Sequence, residues 1–362
     1  MHHSNKILLA IGASINGGAQ NVFHTIIKKL ISQNQEVIVI LPDGPFVEVL
    51  SLLKIKLYII QFNSIRDIFR IYKIIKNEQC DIINTHLTKC NIMVSIVNLL
   101  FRKPICSTLH NDIIHAGLNS AQRIIYPYFY KFMATINDGF IVVSEYSKQD
   151  LINVAGVNDS KIQVIHNGID LRSFTNIAHV LKQANKYIFA CVGHLTIEKG
   201  HVYLINAIAS LKDHEFECWI IGDGGLRGVL EQQVIDNSDE KKIIFLGHRH
   251  DINVLLQQVD SVILPSINEN LPISILEALA FKKPVIASDI GGIPELIVHE
   301  QSGILVPPKD SEKLAKAMLQ LYNDSQFGVS MGEEGYKNVQ EKFSSDMMFQ
   351  NTWTYYNTLR MK

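Results

Sequence analysis

The chain has 362 residues, of which 47% are hydrophobic and 19% charged, and its formal net charge is −1. This length allows two domains with ample cores, and the composition excludes a disordered or low-complexity chain. The longest apolar segment, residues 92–101, is shorter than the roughly 20 residues that span a bilayer. Five scattered cysteines, never in a C-x-x-C pair, favour reduced thiols in the cytoplasm over disulfides or structural zinc.

Charge is unevenly distributed along the chain. Residues 1–175 carry 17 Lys and Arg against 12 Asp and Glu, or +5, and the rest carries 17 against 23, or −6. A basic half suits peripheral contact with anionic lipid, although ordinary variation explains the asymmetry equally well. No basic run or zinc-finger spacing is present, so no nucleic-acid partner is predicted. The basic residues expected to meet a membrane are Lys28, Lys29, Arg70, Lys73, Arg102, Lys103, Arg123 and Lys131.

Short β-branched runs alternate with helical patterns, and this series occurs twice. Near-continuous apolar strands separated by helices predict parallel sheets covered on both faces. The fold class is therefore α/β, with two doubly wound Rossmann-like domains facing across a cleft. We expect the domains at residues 1–175 and 176–343, and a C-terminal helix (344–362) packing back toward the first. The predicted strands are 6–11, 36–41, 57–60, 81–86, 104–109, 139–144, 162–167, 187–193, 217–222, 242–247, 261–265, 284–288 and 303–307.

Two glycine-containing loops follow predicted strands. After the first strand, Gly17 and Gly18 let the backbone approach a ligand, and the following helix directs N–H groups at an anion. A plain tight turn is the alternative. After the eighth strand, Lys199 precedes Gly200 at a helix start, so a cation and a helix dipole converge as a diphosphate requires. Neither loop has the dinucleotide G-x-G-x-x-G or the P-loop spacing.

Three histidines stand where a ligand or metal site could form. His110 follows a buried strand, where its imidazole either contacts a ligand or fills a structural role. The segment "HRH" (248–250) has no third ligand nearby, so no metal site is predicted. The chain also has no D-x-D sequence, which a metal-dependent sugar transferase is expected to carry.

The stretch "NENLPISILEALA" (268–280) surrounds two carboxylates with apolar residues. Pro272 suits a first helical position, and Ile273, Leu276, Glu277 and Ala280 then share one face. Glu277 would lie on the buried stripe, with Glu269 in the loop before it. Such carboxylates must be paired, either in a structural salt bridge or by hydroxyls of a polyhydroxyl ligand.

In their order and spacing these segments resemble the retaining glycosyltransferases of family 4, which have the GT-B fold. The resemblance covers nearly the whole chain and is strongest over residues 187–307. Its most specific part is "PSINENLPISILEALAFKKPVIASDIGGIPELIVHEQSGILVP", with the family's E-x7-E element and the "GG-P-E" turn. "VGHLTIEKG", "IIGDGG", "HNGID" and "GGAQ" accompany it.

The resemblance implies sugar transfer from a nucleotide sugar, UDP- or GDP-linked, with retention and with neither metal nor other cofactor. It implies that Lys199 holds the diphosphate, Glu269 the donor-sugar hydroxyls and Glu277 the ribose. His110 would touch the sugar near its reacting carbon, and His110, Lys199 and Glu269 form the implied catalytic set. The remaining donor-binding positions are Gly17, Gly18, His194, Asn270 and Leu271.

Two positions depart from the family pattern. His194 stands where arginine is usual, and a histidine clamps phosphate less well than a bidentate guanidinium. Asn270 stands where glycine is usual.

The acceptor implied is a glycan or lipid-linked sugar in bacterial surface polysaccharide synthesis. The enzyme would lie in the cytoplasm, on or near the inner face of the membrane. A nucleotide-sugar 2-epimerase on the same fold and a non-catalytic sugar-nucleotide-binding module remain open alternatives.

Overall fold

The computed structural model describes residues 5–15, 17–110, 120–175 and 186–361. It divides the chain into two compact units, Met1–Asn167 with Ser345–Lys362, and Gly168–Ser344. The boundary therefore falls eight residues before the one expected after residue 175. Residues 176–185 of the expected linker lie outside the described part of the chain.

The first unit is built on a seven-stranded sheet of order β3-β2-β1-β4-β5-β6-β7, with parallel pairings throughout. Its strands are almost wholly buried because helices cover the sheet, which is why they read as continuous apolar runs. They are β1 (Lys6–Ile11), β2 (Glu36–Leu41), β3 (Lys56–Ile59), β4 (Ile82–His86), β5 (Ile105–Leu109), β6 (Gly139–Val142) and β7 (Ile162–Val164).

Seven helices among the described residues complete this unit. Six of them are α1 (Gly18–Ser32), α2 (Pro45–Ser51), α3 (Ile65–Glu78), α4 (Thr88–Asn98), α5 (Ser120–Ile136) and α6 (Glu145–Ala155). The C-terminal helix α15 (Ser345–Arg360) packs against α1. An ion pair between Lys29 and Asp346 and a hydrogen bond from Tyr356 Oη to Asn84 Oδ1 (2.9 Å) hold it there.

The second unit contains a six-stranded parallel sheet of order β10-β9-β8-β11-β12-β13. Its strands are β8 (Tyr187–Val192), β9 (Phe216–Ile221), β10 (Ile243–Gly247), β11 (Ser261–Leu264), β12 (Val285–Ser288) and β13 (Ile304–Val306). Its helices are α7 (Arg172–Thr175), α8 (His201–Ala209), α9 (Arg227–Asn237), α10 (Ile252–Gln258), α11 (Ile273–Ala280), α12 (Ile293–Leu296), α13 (Ser311–Asn323) and α14 (Ser325–Lys342).

The α/β fold class with two doubly wound sheets is confirmed, and every strand predicted from the sequence is present. The differences are at strand ends: the runs at 139–144 and 162–167 stop at Val142 and Val164, although the apolar residues that follow, Val143 and Ile165, are still buried. Within the described residues, no helix combines the length and apolar character needed to cross a membrane.

Candidate active site

Strand order determines where each sheet can bind a ligand. In the second sheet β9 lies on one side of β8 and β11 on the other. After β8 the chain continues toward one side of the sheet, and after β11 it continues toward the other side. Doubly wound sheets bind ligands at the carboxyl ends of the strands beside such a reversal. Lys199 follows β8 and Glu269 follows β11, so both lie at this edge. The first sheet has the same reversal between β1 and β4.

Two glycines allow the loops of the second sheet to approach one another closely. Gly200 has φ +64°, and a Cβ there would lie 2.1 Å from the Pro265 carbonyl oxygen. Gly291, in the "GG-P-E" turn, has φ +55°, and its Cβ would lie 1.9 Å from the Glu269 carbonyl oxygen. Only glycine satisfies both the positive φ and the missing space. The loops after β8, β11 and β12 therefore form one packed edge around Glu269.

The Lys199 ammonium donates a hydrogen bond to Glu269 Oε1 and forms an ion pair with it. The same oxygen accepts a hydrogen bond from Ser266 Oγ at 3.1 Å. The Glu269 side chain is 10% exposed and that of Lys199 24%, so the pair is accessible from solvent through the lysine. The salt-bridge interpretation thus holds for Glu269 in the ligand-free chain, and any anionic ligand of Lys199 must compete with this carboxylate.

Glu277 is in a different state from Glu269. Its half-buried side chain has no hydrogen bond or ion pair with any residue that the structure describes. Burial raises the pKa of its carboxyl to about 7, because a desolvated carboxylate without a compensating charge favours its neutral form. The salt-bridge interpretation therefore does not hold for Glu277, and its hydrogen-bonding capacity is available to a ligand.

The helix that carries Glu277 differs in two ways from the prediction. It begins at Ile273, and Pro272 is the N-cap residue with extended ψ of 125°, so proline sits one position earlier than expected. The predicted single buried face is also wrong. Because α11 packs against β11, β12 and α14, it is buried almost all round, and Ile273 and Glu277 stay half-buried. The fully buried residues are Ile275, Leu276, Ala278, Leu279 and Ala280.

The residues just before α11 are positioned by the backbone. Asn270 is buried, and its carbonyl accepts the Gly292 N–H at 2.8 Å. Its φ is negative, so asparagine occupies this position without the strain that a left-handed conformation would bring. Leu271 is also buried, whereas His194 is exposed in the loop between β8 and Lys199.

At the edge of the first sheet, α1 begins at Gly18 with Gly17 as its N-cap. No side chain caps this helix end, so its first-turn N–H groups can donate to a ligand. Gln20 turns back and donates a hydrogen bond from Nε2 to the Ala13 carbonyl at 3.2 Å, which braces the loop after β1.

A chain of buried polar side chains leads to His110. His110 Nε2 lies 2.9 Å from His86 Nδ1, and the two rings are stacked with centroids 5.2 Å apart. His86 is fully buried, and its Nε2 contacts Asn84 Oδ1. Burial lowers the pKa of His86 well below its ordinary value and that of His110 to about 4. Both imidazoles are therefore neutral at physiological pH.

The partners determine which nitrogen carries each proton. Asn84 Nδ2 donates to the Cys106 carbonyl (3.3 Å) and Thr108 Oγ1 (2.9 Å), so Asn84 Oδ1 is an acceptor facing His86. Neutral His86 must then donate through Nε2 and accept through Nδ1. It follows that His110 donates through Nε2 and that His110 Nδ1 is a hydrogen-bond acceptor.

His248 and His250 lie close together after β10. The exposed rings of His248 and His250 contact each other, with centroids 4.8 Å apart. Within the described ranges, no group of three or more His, Cys, Asp or Glu side chains is arranged to hold a metal ion.

Comparison with known families identifies the chain. The family model "Glycosyltransferase Family 4" matches residues 16–173, and the model "Glycosyl transferases group 1" matches residues 173–338. The chain belongs to the family 4 glycosyltransferases. The two matches follow each other without a gap and include each of the candidate site residues.

The names of two relatives state an activity. An Escherichia coli protein named UDP-Gal:alpha-D-GlcNAc-diphosphoundecaprenol alpha-1,3-galactosyltransferase is 28% identical over 280 residues, covering 74% of this chain and 72% of that protein. A Campylobacter jejuni protein named N,N'-diacetylbacillosaminyl-diphospho-undecaprenol alpha-1,3-N-acetylgalactosaminyltransferase is 26% identical over 353 residues, covering 90% and 92%.

Solved structures share the GT-B fold. HepE from Anabaena, in complex with UDP-glucose, has a TM-score of 0.87 at 24% identity and covers 97% of this glycosyltransferase and 99% of its own chain. A glycosyltransferase from Rickettsia africae has a TM-score of 0.86 at 22% identity and covers 99% of both chains.

In this glycosyltransferase, the predicted site residues fall into one set in each unit. Lys199 and Glu269 are in direct contact in the second unit, whereas Gly17, Gly18 and His110 belong to the first. The sequence did not indicate the residues that position His110, namely Asn84, His86 and Tyr356. Sequence analysis also missed His201. This residue directly follows Gly200 and is buried, and neither of its ring nitrogens has a hydrogen bond within the described residues. The only feature of the sequence that pointed to Asn84 and His86 was the polar end of β4, "NTH".

The two carboxylates should affect stability in opposite directions. The pKa of Glu277 is raised from its usual value of 4.5 to about 7 in the folded state. The contribution of Glu277 to the stability of the fold is therefore complete below pH 4.5 and is lost as the pH rises through 7. Glu277→Gln should therefore raise the free energy of unfolding at pH 8, by up to about 3 kcal/mol, with little gain at pH 5. Glu269→Gln breaks the Lys199 pair and should lower the Tm at both pH values. Thermal melts check this; a lower Tm for Glu277→Gln at pH 8 contradicts it.

His86 should determine the protonation of His110. In nitrogen NMR of the labelled protein, His110 should show a protonated Nε2 and an unprotonated Nδ1, with no titration between pH 5 and 8. His86→Leu removes the acceptor and should populate the other tautomer. Tyr356→Phe is the matched control, because it removes a bond to the same Asn84 oxygen and leaves His86 in place. An unchanged His110 spectrum in His86→Leu would show that His86 has no such role.

Proposed function

We propose that this glycosyltransferase moves a sugar from a nucleotide diphosphate donor to a hydroxyl of a lipid-linked glycan, with retention of anomeric configuration and without a metal ion. The product would be an intermediate of surface polysaccharide synthesis made at the cytoplasmic face of a membrane. The observation that carries this proposal is the Lys199–Glu269 pair at the carboxyl edge of the second sheet, together with the unpartnered Glu277 on the helix that follows β11.

Lys199 is the cation for the leaving diphosphate. When the anomeric carbon–oxygen bond stretches, negative charge collects on the departing phosphate, and a fixed ammonium at that point stabilises the transition state. The uncapped N-terminus of α11 adds N–H groups of the same polarity. The exposed imidazole of His194 reaches a bound phosphate only as a second, weaker donor.

The carboxylates are acceptors for hydroxyl groups. Once the diphosphate takes the Lys199 ammonium, Glu269 is free to accept hydrogen bonds from the donor sugar. Glu277 accepts those of the ribose. His110, held with Nδ1 as an acceptor, suits a sugar hydroxyl and not a developing oxyanion. The acceptor hydroxyl then attacks from the face that the diphosphate leaves, and a phosphate oxygen takes its proton.

The choice of substrates follows the curated relatives. The Escherichia coli protein's name specifies UDP-Gal and a diphosphoundecaprenol-linked sugar, and the Campylobacter jejuni protein's name specifies the same lipid. A UDP-sugar is therefore the first donor to test, ahead of GDP-sugars, and an undecaprenyl diphosphate glycan the first acceptor. Product formation with retained configuration, read by NMR, supports the proposal; an epimerised donor without acceptor, or no donor turnover, contradicts it.

Binding of a UDP-sugar should depend on pH through Glu277. Ribose hydroxyls donate to the carboxylate form, so binding lowers its pKa from about 7 and releases a proton. The Kd should be about tenfold higher at pH 6 than at pH 8. A UDP-sugar is preferable to UDP, whose terminal phosphate titrates near pH 6.

The control is Glu277→Gln, which should bind more weakly and lose the pH dependence. Calorimetry in buffers of different ionisation enthalpy measures the released proton directly. A pH-independent Kd in the parent protein would place Glu277 outside the donor site.

Transfer should survive chelation of divalent ions. The chain has no D-x-D sequence, and Lys199 with the helix N-terminus supplies the positive charge that a metal would otherwise provide. Activity in chelator should match activity in added magnesium or manganese. Loss of activity in chelator with recovery in manganese is the contradicting result.

A further inference from the structure

Helices α4 and α5 present an apolar surface to solvent on the first unit. On α5, Ile124, Ile125, Tyr128 and Phe132 are 67%, 56%, 73% and 48% exposed. Their spacing of i, i+1, i+4 and i+8 places them in one stripe along the helix. At the end of α4, which packs against α5, Leu99 and Leu100 are 47% and 73% exposed.

This stripe is not needed for the core of the unit. The opposite face of α5 provides the buried residues Tyr130 and Met133, which pack with Phe140 and Leu151 of β6 and α6. The two faces together make α5 apolar nearly all round. A contiguous apolar face exposed on a protein surface typically marks a site that meets another protein or a membrane.

Basic residues outnumber acidic residues in the segment that carries the stripe. Residues 82–137 contain five Lys and Arg and a single acidic residue, a balance of +4. Lys89, Arg102, Lys103 and Lys131 make no ion pair with any of the residues described. By contrast, Lys29 and Arg70, also expected to meet a membrane, are paired with Asp346 and Asp67. Four cations without an ion pair among the described residues therefore lie on or next to α4 and α5, while Lys28 on α1 and Lys73 on α3 are likewise unpaired.

We propose that the exposed stripe of α5, with the end of α4, docks this protein on an anionic lipid bilayer. The four stripe residues of α5 extend over about 12 Å of helix axis, which suits a helix lying flat in the interface. Aromatic and aliphatic side chains enter the headgroup region while flanking Lys and Arg meet lipid phosphates. An acidic protein partner would need a matching ridge of apolar side chains. An anionic bilayer presents negative headgroups and an apolar interior over its whole surface.

The proposal rests on the proposed function in one respect: a lipid-linked acceptor is held in such a bilayer. The stripe gives the enzyme access to that acceptor without a spanning segment. Of the residues expected to meet a membrane, it selects Arg102, Lys103 and Lys131, which lie on or next to the two helices of the stripe.

The test is co-sedimentation of the full chain with vesicles of phosphatidylcholine, with and without phosphatidylglycerol. The parent protein should bind the anionic vesicles, bind neutral ones weakly, and dissociate at high salt. Tyr128→Ser with Phe132→Ser, and separately Arg102→Glu with Lys131→Glu, should each reduce partitioning by about tenfold or more. These side chains are exposed, so thermal melts should match the parent.

A matched control carries the same kinds of change on the second unit, where Val229 and Lys241 are exposed. Val229→Ser with Lys241→Glu should bind anionic vesicles like the parent. Failure of the parent to bind them, or parental binding by both stripe variants, overturns the proposal. Concentration-dependent self-association that the Tyr128→Ser, Phe132→Ser variant abolishes, without vesicle binding, would assign the stripe to a dimer interface instead.

Transfer to a short-chain, water-soluble acceptor separates this proposal from the proposed function. The stripe variants should retain parental turnover in solution and lose it selectively with acceptor embedded in anionic vesicles. A parent protein that binds vesicles but transfers no sugar to either acceptor refutes the proposed function alone.

Discussion

The ion pair between Lys199 and Glu269 is the interaction on which the candidate site depends. It joins the loops after β8 and β11, which are 70 residues apart in sequence, and it compensates both charges before a donor arrives. A diphosphate that takes the lysine must displace a carboxylate from it. Under the proposed function, the same exchange would free Glu269 to accept sugar hydroxyls, so one event would prepare both the leaving-group site and the sugar site.

Glu277 differs from Glu269 in how the fold accommodates its carboxyl group. No cation approaches it within the described part of the second unit, and the fold tolerates this because the carboxyl can take up a proton as its pKa rises. A group kept in this state costs stability whenever it ionises, and costs of this kind are common at binding and catalytic sites. The two glutamates of one motif therefore differ in charge state for a reason that lies in their surroundings.

In the first unit, a network of buried polar residues positions His110. Asn84 and His86 lie fully buried at the end of β4, where an unsatisfied polar group would be costly. Tyr356 from the C-terminal helix completes their hydrogen bonding, and the result is a histidine with one defined acceptor nitrogen. Leu87, next in the chain, has φ of +70°, a strained conformation of the kind that accumulates at functional sites.

The sequence by itself determined the two doubly wound sheets, because continuous apolar runs at helical intervals leave few other folds. It also placed the glutamates, Lys199 and the glycine turns at strand ends, since short motifs act through local backbone geometry. Only the tertiary structure paired Lys199 with Glu269 and left Glu277 without a partner. It alone brought Tyr356 to Asn84, 272 residues away, and turned Tyr128 and Phe132 to solvent. Strand order and helix packing decide these contacts, and neither is encoded in the local periodicity of hydrophobic residues.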